Sequence, residues 1–241
     1  MRKLIFMHKS GHGYPLIFFH GWGFDHRIWF VLLPQLNDFY TCYLVDLPGF
    51  GQTVHMSWQE FNQQLLKLLP KKFAVLGWSL GGLYALRLLL AAHEHISHLL
   101  LVATSPCFIA NVQWPGISRP IMNNFIQSFH KQPQQTILDF IKLQLDRSES
   151  IEMNNMNYAA LADGLQILST WDLRSLLIQY ERYHKKPICC IFGKRDKIIT
   201  YKTMTAMHEI YPSWQYNIIN NAAHMPFLTM DFITILRGFI Q

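Results

Sequence analysis

The chain has 241 residues, of which 50% are hydrophobic and 15% are charged, and this composition excludes a disordered or fibrous protein. The net charge of +6 comes from scattered basic residues with no run longer than two, so nucleic acid is the partner that the charge favours least. The four cysteines have no C-x-x-C spacing and predict neither a disulfide framework nor a zinc site.

The start of the chain and its apolar runs predict a cytoplasmic protein. The apolar run before His8 and Lys9 has only four residues, which is too few for a secretory signal. Prolines and polar residues interrupt the longer apolar runs, so no segment is predicted to span a membrane. The cysteines fit reduced core residues in a reducing compartment.

Short strand-like runs alternate with amphipathic helical runs along the chain, which predicts an α/β fold with a mostly parallel sheet and helices on both faces. Helical spacing of apolar residues is clear in "SWQEFNQQLLKLL" and "YKTMTAMHEIY". Six strands are predicted, in "PLIFFHGWG", "YTCYLVDLPGFG", "KFAVLGWS", "SHLLLVATS", "PICCIFGKRD" and "WQYNIINNAAH".

One long segment, residues 108–184, interrupts this alternation. Its apolar positions recur at helical spacing in "PIMNNFIQSFH", "QTILDFIKLQL" and "NYAALADGLQIL", and no strand is predicted in it. We therefore predict an α/β core of residues 1–107 and 185–241 with a helical cap inserted at 108–184.

The segment "AVLGWSLGGLYALRLLL" places Ser79 at a turn between a predicted strand and a predicted helix. Glycines lie two residues before and two residues after it, which is the G-x-S-x-G pattern. Such a tight turn lets the two elements pass closely and exposes the serine hydroxyl at the positive end of a helix. Ser79 is therefore the candidate nucleophile.

A serine nucleophile needs a base, and the base needs an orienting acid. At elbows of this kind the acid and the histidine follow later strands in the order Ser, Asp, His, and Asp196 and His224 occupy those places. Asp172 is the alternative acid, but no strand precedes it, so we interpret it as a helix cap. Asp46 follows an early strand and is interpreted as stabilising a turn.

No metal or other cofactor is predicted. The histidines of "HEHISH", residues 93–98, lack the H-E-x-x-H spacing and fall between a helix and a strand, which favours a solvated loop. Donors for an oxyanion are instead expected from the backbone, at Leu80 after the nucleophile and at Trp22 in "HGWG".

These motifs resemble the α/β-hydrolase superfamily and, within it, the carboxylesterases that act on pimeloyl-acyl carrier protein methyl ester in biotin synthesis. The resemblance covers nearly the whole chain. Its more selective segments are "FFHGWGFDHRIW", "LVDLPGFGQT", "LGWSLGGL", "VATSPCFIANVQWPGI", "GLQILSTWDLR" and "NNAAHMPF". It weakens after Gln144, where "LDRSESIEMNNMNYAALADG" follows no family pattern.

The resemblance implies a serine carboxylesterase with Ser79 as nucleophile, Asp196 as acid and His224 as base. It implies that Trp22 and Leu80 contact the acyl group. It also implies that five cap residues line the substrate pocket, namely Phe140, Ile141, Lys142, Leu143 and Gln144. Its implied partner is an acyl carrier protein carrying the pimeloyl methyl ester, with no nucleic acid and no membrane, and a monomeric state is expected.

Two further predictions concern the cap. Apolar side chains suited to a methylene chain are expected at Phe108 and Trp114 as well as at Phe140 and Leu143, although each could equally be a core residue. Basic side chains are expected to attract the acidic carrier protein, at Arg119, Lys131, Lys142 and Arg147.

Other activities are compatible with the same residues. A short-chain carboxylesterase and a C–C bond hydrolase share the triad, so only the cap can distinguish them. A weakly catalytic ligand receptor of the same fold is a further alternative. A haloalkane dehalogenase is excluded, because its elbow requires a carboxylate where Ser79 stands.

Overall fold

A computed structural model describes residues 4–144 and 157–240. Its centre is a seven-stranded sheet with the strand order β1-β3-β2-β4-β5-β6-β7. The first strand pairs antiparallel with the third, and every other pairing is parallel. The strands are β1 (Met7–Ser10), β2 (Tyr14–Phe19), β3 (Tyr40–Val45), β4 (Phe73–Trp78), β5 (Ile96–Val102), β6 (Ile188–Gly193) and β7 (Gln215–Ile219).

The six predicted strands are confirmed. The predicted α/β-hydrolase fold with a mostly parallel sheet is confirmed as well. All six residues of β4 and of β6 are buried, as expected for strands whose two faces are both covered. The sequence did not predict β1, because only four residues form it and none is fully buried. An edge strand of this kind has no apolar run to reveal it.

Nine α-helices accompany the sheet in the part of the chain that the structure describes, with two short 3₁₀ helices at His26–Leu32 and Pro226–Leu228. They are α1 (Leu33–Leu36), α2 (Trp58–Leu68), α3 (Leu80–Ala92), α4 (Arg119–Lys131), α5 (Pro133–Gln144), α6 (Tyr158–Thr170), α7 (Arg174–Tyr183), α8 (Tyr201–Ile210) and α9 (Met230–Phe239).

Four of these helices, α4 to α7, lie between β5 and β6 along the chain, where the sequence predicted a helical insertion. Ser118 begins α4 by accepting a hydrogen bond from the Ile121 N–H, and Asn157 begins α6 in the same way from Ala159 and Ala160. The cap boundaries at 108 and 184 stay predictions.

Because parallel strands point the same way, their carboxyl ends meet at one edge of the sheet. The loops after β2, β4, β6 and β7 meet there, and they carry Trp22, Ser79, Asp196 and His224 respectively. Among the residues described, no helix is both long and apolar enough to cross a membrane.

Candidate active site

Ser79 occupies a strained turn between β4 and α3. Its φ is 53° and its ψ is −117°, in a region that residues with a Cβ atom rarely adopt. The conformation is fixed from both sides, because the Ser79 N–H donates to the Val102 carbonyl at 3.0 Å. The Thr104 hydroxyl donates to the Ser79 carbonyl at 2.7 Å. The backbone thus keeps the serine side chain at the apex of the turn.

The two glycines of the G-x-S-x-G pattern are required by close backbone contacts. A Cβ atom at Gly77 would overlap the Gly81 carbonyl and lie 2.8 Å from the Ala85 Cβ. A Cβ atom at Gly81 would overlap the carbonyls of Phe19 and His20. The predicted close passage of strand and helix is therefore present, and it also brings the loop after β2 against the start of α3.

Ser79, His224 and Asp196 form one chain of hydrogen bonds. The Ser79 hydroxyl lies 3.0 Å from Nε2 of His224, and Nδ1 of His224 lies 2.8 Å from Oδ2 of Asp196. Since a carboxylate only accepts, Nδ1 carries the proton and Nε2 is free to accept the serine proton. This is the tautomer in which a histidine can act as a general base toward serine.

The loops after β6 and β7 hold the acid and the histidine in place. The Arg195 N–H donates to the Ala222 carbonyl at 2.9 Å, which joins the two loops. The second carboxylate oxygen of Asp196 accepts from the backbone N–H groups of Ile198 at 2.7 Å and Ile199 at 3.0 Å. Both carboxylate oxygens are therefore bonded, and the side chain has one orientation.

Sequence reasoning missed two residues that hold the triad. The Trp78 indole N–H donates to the His224 carbonyl at 2.8 Å, and the Thr104 hydroxyl bonds the backbone of the nucleophile as described above. The Trp78 contact joins residues 146 positions apart, so no local pattern could have revealed it.

The site is buried. Only 4% of the Ser79 surface is exposed, and Asp196 and His224 are buried as well. Beside them, burial lowers the pKa of His20, which lies entirely inside the protein. Its Nδ1–H donates to the Gly21 carbonyl at 2.9 Å and its Nε2 accepts from the Leu47 N–H at 3.0 Å. Only the neutral ring can make both bonds.

The two backbone N–H groups predicted as oxyanion donors have no partner among the described residues. Trp22 and Leu80 are both fully buried, yet neither backbone N–H donates a hydrogen bond to any residue that the structure describes. Buried N–H groups in folded proteins are almost always bonded. Two such N–H groups beside Ser79 could both donate hydrogen bonds to an oxygen atom of a bound substrate.

The side chain of Trp22 is packed into the cap. Its indole N–H donates to the Leu161 carbonyl on α6 at 2.8 Å. Three phenylalanine rings make T-shaped contacts with the indole, at centroid distances of 5.6 Å for Phe125, 5.8 Å for Phe129 and 5.3 Å for Phe140. Only 1% of the Trp22 surface is exposed. Its predicted contact with an acyl group stays a prediction, as does that of Leu80.

The prediction that residues 140–144 all line one pocket stays a prediction, and the five residues differ in burial. Ile141 and Gln144 are buried and Phe140 is half-buried, but Lys142 is exposed and 47% of the Leu143 surface is exposed. The five residues belong to α5, and successive helical residues turn by about 100°, so five of them cover every face. The predicted roles of Lys142 in the pocket and of Leu143 in an apolar wall stay predictions.

The other two predicted wall residues are buried. Phe108 and Trp114 are almost completely inaccessible. The Trp114 indole N–H donates to the Cys107 carbonyl at 2.8 Å, and the Arg174 guanidinium stacks on its ring at 5.0 Å. These contacts give Trp114 a packing role, and its contact with substrate stays a prediction, as does that of Phe108.

The alternative residues have structural partners elsewhere. Asp172 accepts from the Arg174 N–H at the start of α7, at 3.2 Å, in agreement with a capping role. Asp46 accepts from the Gln52 N–H and from the His26 backbone N–H, each at 2.8 Å, and its Oδ1 also lies 2.8 Å from Nδ1 of His26. These bonds stabilise the turn after β3. Residues 93–95 form the expected turn between α3 and β5, whereas residues 96–98 belong to β5.

The predicted basic residues of the cap are exposed where the structure describes them. Arg119, Lys131 and Lys142 are all exposed, and none forms an ion pair with a described carboxylate. The fourth, Arg147, lies outside the described residues.

Comparison with known proteins agrees with this arrangement. Residues 16–233 match a model of the "Alpha/beta hydrolase family". The pimeloyl-[acyl-carrier protein] methyl ester esterase of Legionella pneumophila (strain Paris) is 42% identical over 98% of this chain and 99% of its own. The enzyme of the same name from Aeromonas salmonicida (strain A449) is 33% identical over 96% and 97%.

Solved structures show the same fold. An esterase from Exiguobacterium antarcticum superimposes with a TM-score of 0.87 at 19% identity, over 98% of this chain and 94% of its own. The chain belongs to the alpha/beta hydrolase family and, within it, to the group of the pimeloyl-[acyl-carrier protein] methyl ester esterases.

Proposed function

We propose that the chain is a serine carboxylesterase that hydrolyses the methyl ester of pimeloyl-acyl carrier protein to the free carboxylate and methanol, a step of biotin synthesis. The relatives that match over almost the full chain carry this activity in their names. The observation that carries the proposal is the hydrogen-bond chain from Ser79 through His224 to Asp196 at the strained elbow.

Acylation uses these three residues and the two unpartnered N–H groups. Ser79 Oγ attacks the ester carbonyl carbon while His224 Nε2 takes its proton. The carbonyl oxygen becomes an oxyanion that accepts from the Leu80 and Trp22 N–H groups. When the tetrahedral intermediate collapses, the C–O bond to the methoxy group breaks and His224 protonates that oxygen, so methanol leaves.

Deacylation repeats the steps with water. His224 Nε2 removes a proton from a water molecule, whose oxygen attacks the acyl carbon. Collapse breaks the bond to Ser79 Oγ, and the proton returns from His224 to the serine. Throughout, the ionised Asp196 holds Nδ1–H and stabilises the positive charge that His224 carries between the steps.

Substitution of the nucleophile tests the proposal. Ser79→Ala should lower kcat for p-nitrophenyl acetate, and for the carrier-bound methyl ester, by at least about 1,000-fold. Ser97→Ala is the matched control, because it removes a serine hydroxyl of β5 that donates to the Phe73 carbonyl and lies 3.2 Å from Nδ1 of His98. A Ser79→Ala enzyme as active as the control would refute the serine mechanism.

An acidic acyl carrier protein is the proposed partner, bound at the exposed basic side chains of α4 and α5. Three exposed cations lie on these helices, at Arg119, Lys131 and Lys142. Asp139 is the one acidic residue on α4 and α5 as the structure describes them, and it accepts from the Gln135 amide at 2.8 Å. This excess of positive charge would steer an acidic partner toward the cap.

Salt tests the proposed partner. Exposed charges are screened over about 8 Å at physiological ionic strength, so kcat/KM for the carrier-bound ester should fall steeply as salt rises, while that for free dimethyl pimelate stays constant. Lys142→Glu should mimic the salt, and Lys67→Glu on α2 of the core should not. Equal salt responses for both esters would refute electrostatic steering.

The proposed place of action is the cytoplasm. All four cysteines are buried and none is in a disulfide, which suits a reducing compartment.

A further inference from the structure

The cap contacts the core where the oxyanion loop, residues 20–24, passes beneath α6. We propose that α6 positions this loop: the Leu161 carbonyl and the bare Cα of Gly164 fix the indole of Trp22, and through it the backbone N–H. Leu161 and Gly164 are then positioning residues for the reaction. The inference rests on the proposed function, since the N–H has a task only if an oxyanion forms.

The indole fits α6 without spare room. Its N–H donates to the Leu161 carbonyl at 2.8 Å, inside the protein. A Cβ atom at Gly164 would lie 2.7 Å from Cδ1 and 3.1 Å from Nε1 of the indole. A real Cβ atom avoids carbon neighbours at such distances, so any other residue at 164 must displace either the ring or the helix.

The helix itself is fixed to the core at separate points. Gly49, in the turn after β3, packs against Ala160 so closely that a Cβ atom on it would overlap the alanine methyl group. His55 Nε2 lies 2.6 Å from Oδ2 of Asp163. Ala160, Asp163 and Gly164 fall within about one helical turn, so a single face of α6 rests on the core and on Trp22 together.

The oxyanion loop needs such an anchor because its own backbone is permissive. Trp22 lies between Gly21 and Gly23, and Gly23 has a φ of 83°, in the region that glycine adopts readily. The Gly21 carbonyl is held by His20 Nδ1 and by the Phe24 N–H, but no bond to a described group holds the Trp22 N–H itself. The indole, held by α6 and by the phenylalanines of α4 and α5, supplies what the glycines lack.

A displaced donor should slow the chemical step more than it weakens binding. Oxyanion donors act on charge that develops in the transition state, and misplacement by about 1 Å costs up to about 100-fold in rate. We expect Gly164→Ala to lower kcat for p-nitrophenyl acetate at least about tenfold while KM changes less than twofold.

The matched control is Gly238→Ala, in α9, because a Cβ atom there meets nothing within 4 Å. Both substitutions replace a helical glycine with alanine and raise helix propensity equally. Gly238→Ala should leave kcat unchanged. If Gly164→Ala were as active as this control, the inference would be overturned.

Removing the ring separates positioning from general damage. In a Trp22→Ala background the indole atoms that the added methyl group would meet are absent, so Gly164→Ala should change kcat by less than twofold there. An equal loss in both backgrounds would show that Gly164 acts without Trp22 and would overturn the inference.

If Gly164→Ala does not fold, Trp22→Phe tests the inference, because it removes the indole N–H that donates to α6. Its kcat should fall at least about fivefold with KM retained, whereas Trp58→Phe, a half-buried tryptophan on α2 whose indole N–H has no described partner, should match the parent. Equal kcat values for the two would contradict the inference.

The proposed function is tested separately in the same series. Activity that does not depend on Ser79 would refute the esterase mechanism, whereas Ser79-dependent activity that Gly164→Ala leaves intact would refute only the role of α6.

Discussion

The two sides of the candidate site are held by different forces. On the triad side, directional hydrogen bonds to the backbone fix each group, as when Ile198 and Ile199 donate to Asp196 and Trp78 donates to the His224 carbonyl. On the cap side, three aromatic ring contacts and one hydrogen bond to Leu161 hold the Trp22 side chain.

This difference implies different responses to substitution. A directional network fails when one partner changes, because a buried donor or acceptor then loses its bond. Apolar packing tolerates changes of shape better and loses stability in proportion to the contact removed. We therefore expect large rate effects from the triad side, and moderate effects on stability and substrate preference from the cap side.

The largest effect is expected at the acid. In Asp196→Asn, the amide oxygen keeps the bonds from the Ile198 and Ile199 N–H groups, so the amide NH₂ faces His224. The NH₂ group cannot accept from Nδ1–H, so His224 adopts the other tautomer and no longer accepts the Ser79 proton. We expect kcat for p-nitrophenyl acetate to fall about 10,000-fold. Asp172→Asn is the control, because that carboxylate bonds Arg174 at the start of α7 and the Cys107 side chain, and kcat should change less than twofold. A larger loss for Asp172→Asn would make the structural assignment of the acid untenable.

A moderate effect is expected at Phe140 on the cap side. Its ring is half-buried against Trp22 and Phe125, so Phe140→Ala should lower the free energy of unfolding by about 2 kcal/mol. Leu143→Ala, on the same helix but exposed, should change it by less than about 0.5 kcal/mol. Urea unfolding of the two variants measures the difference.

The same variants test whether Phe140 contacts the acyl chain, as the resemblance implies. If it does, Phe140→Ala should reduce kcat/KM for p-nitrophenyl octanoate more than for the acetate. Equal losses on both esters would restrict Phe140 to packing.

The smallest effect is expected from pH, through His20 beside the triad. Burial lowers the pKa of this ring from its usual 6.5, so the folded protein binds fewer protons there than the unfolded chain. The stability that His20 contributes is complete above about pH 6.5 and is lost as the pH falls further. Burial lowers the pKa of His98 in the same direction.

Urea unfolding at about pH 7.5 and about pH 5.5 measures this dependence. The loss of stability on acidification should be smaller in His20→Gln than in the parent, and His12→Gln, at an exposed residue, should behave like the parent. Identical losses in all three proteins would exclude a contribution from His20.

The fold and the triad were predictable because their signals are local. Each triad residue follows an apolar strand, and the strands, the elbow glycines and the order of Ser79, Asp196 and His224 can be read from short segments. The hydrogen-bond distances that join them were not predictable, since they depend on how the loops after β6 and β7 pack together.

The cap side was less predictable because its contacts join distant segments and depend on helix faces. The exposure of Lys142 and Leu143 was not predictable from the family motif, since the motif does not say which face of α5 each residue occupies. The contact of Gly164 with Trp22 spans the core and the cap, and an isolated glycine in a helix gives no sign of what it faces. The close passage of β4 and α3 at Ser79, by contrast, was expected from the pattern of glycines.

Covalent labelling tests the central claim most directly, that Ser79 is a nucleophile activated by His224. A fluorophosphonate reacts with an activated serine by losing fluoride and forming a bond from phosphorus to Oγ. Mass spectrometry should find one label per chain, on the peptide that contains Ser79, with activity lost in proportion, and His224→Gln should label far more slowly. A label on any other residue, or full activity in completely labelled protein, would contradict the account.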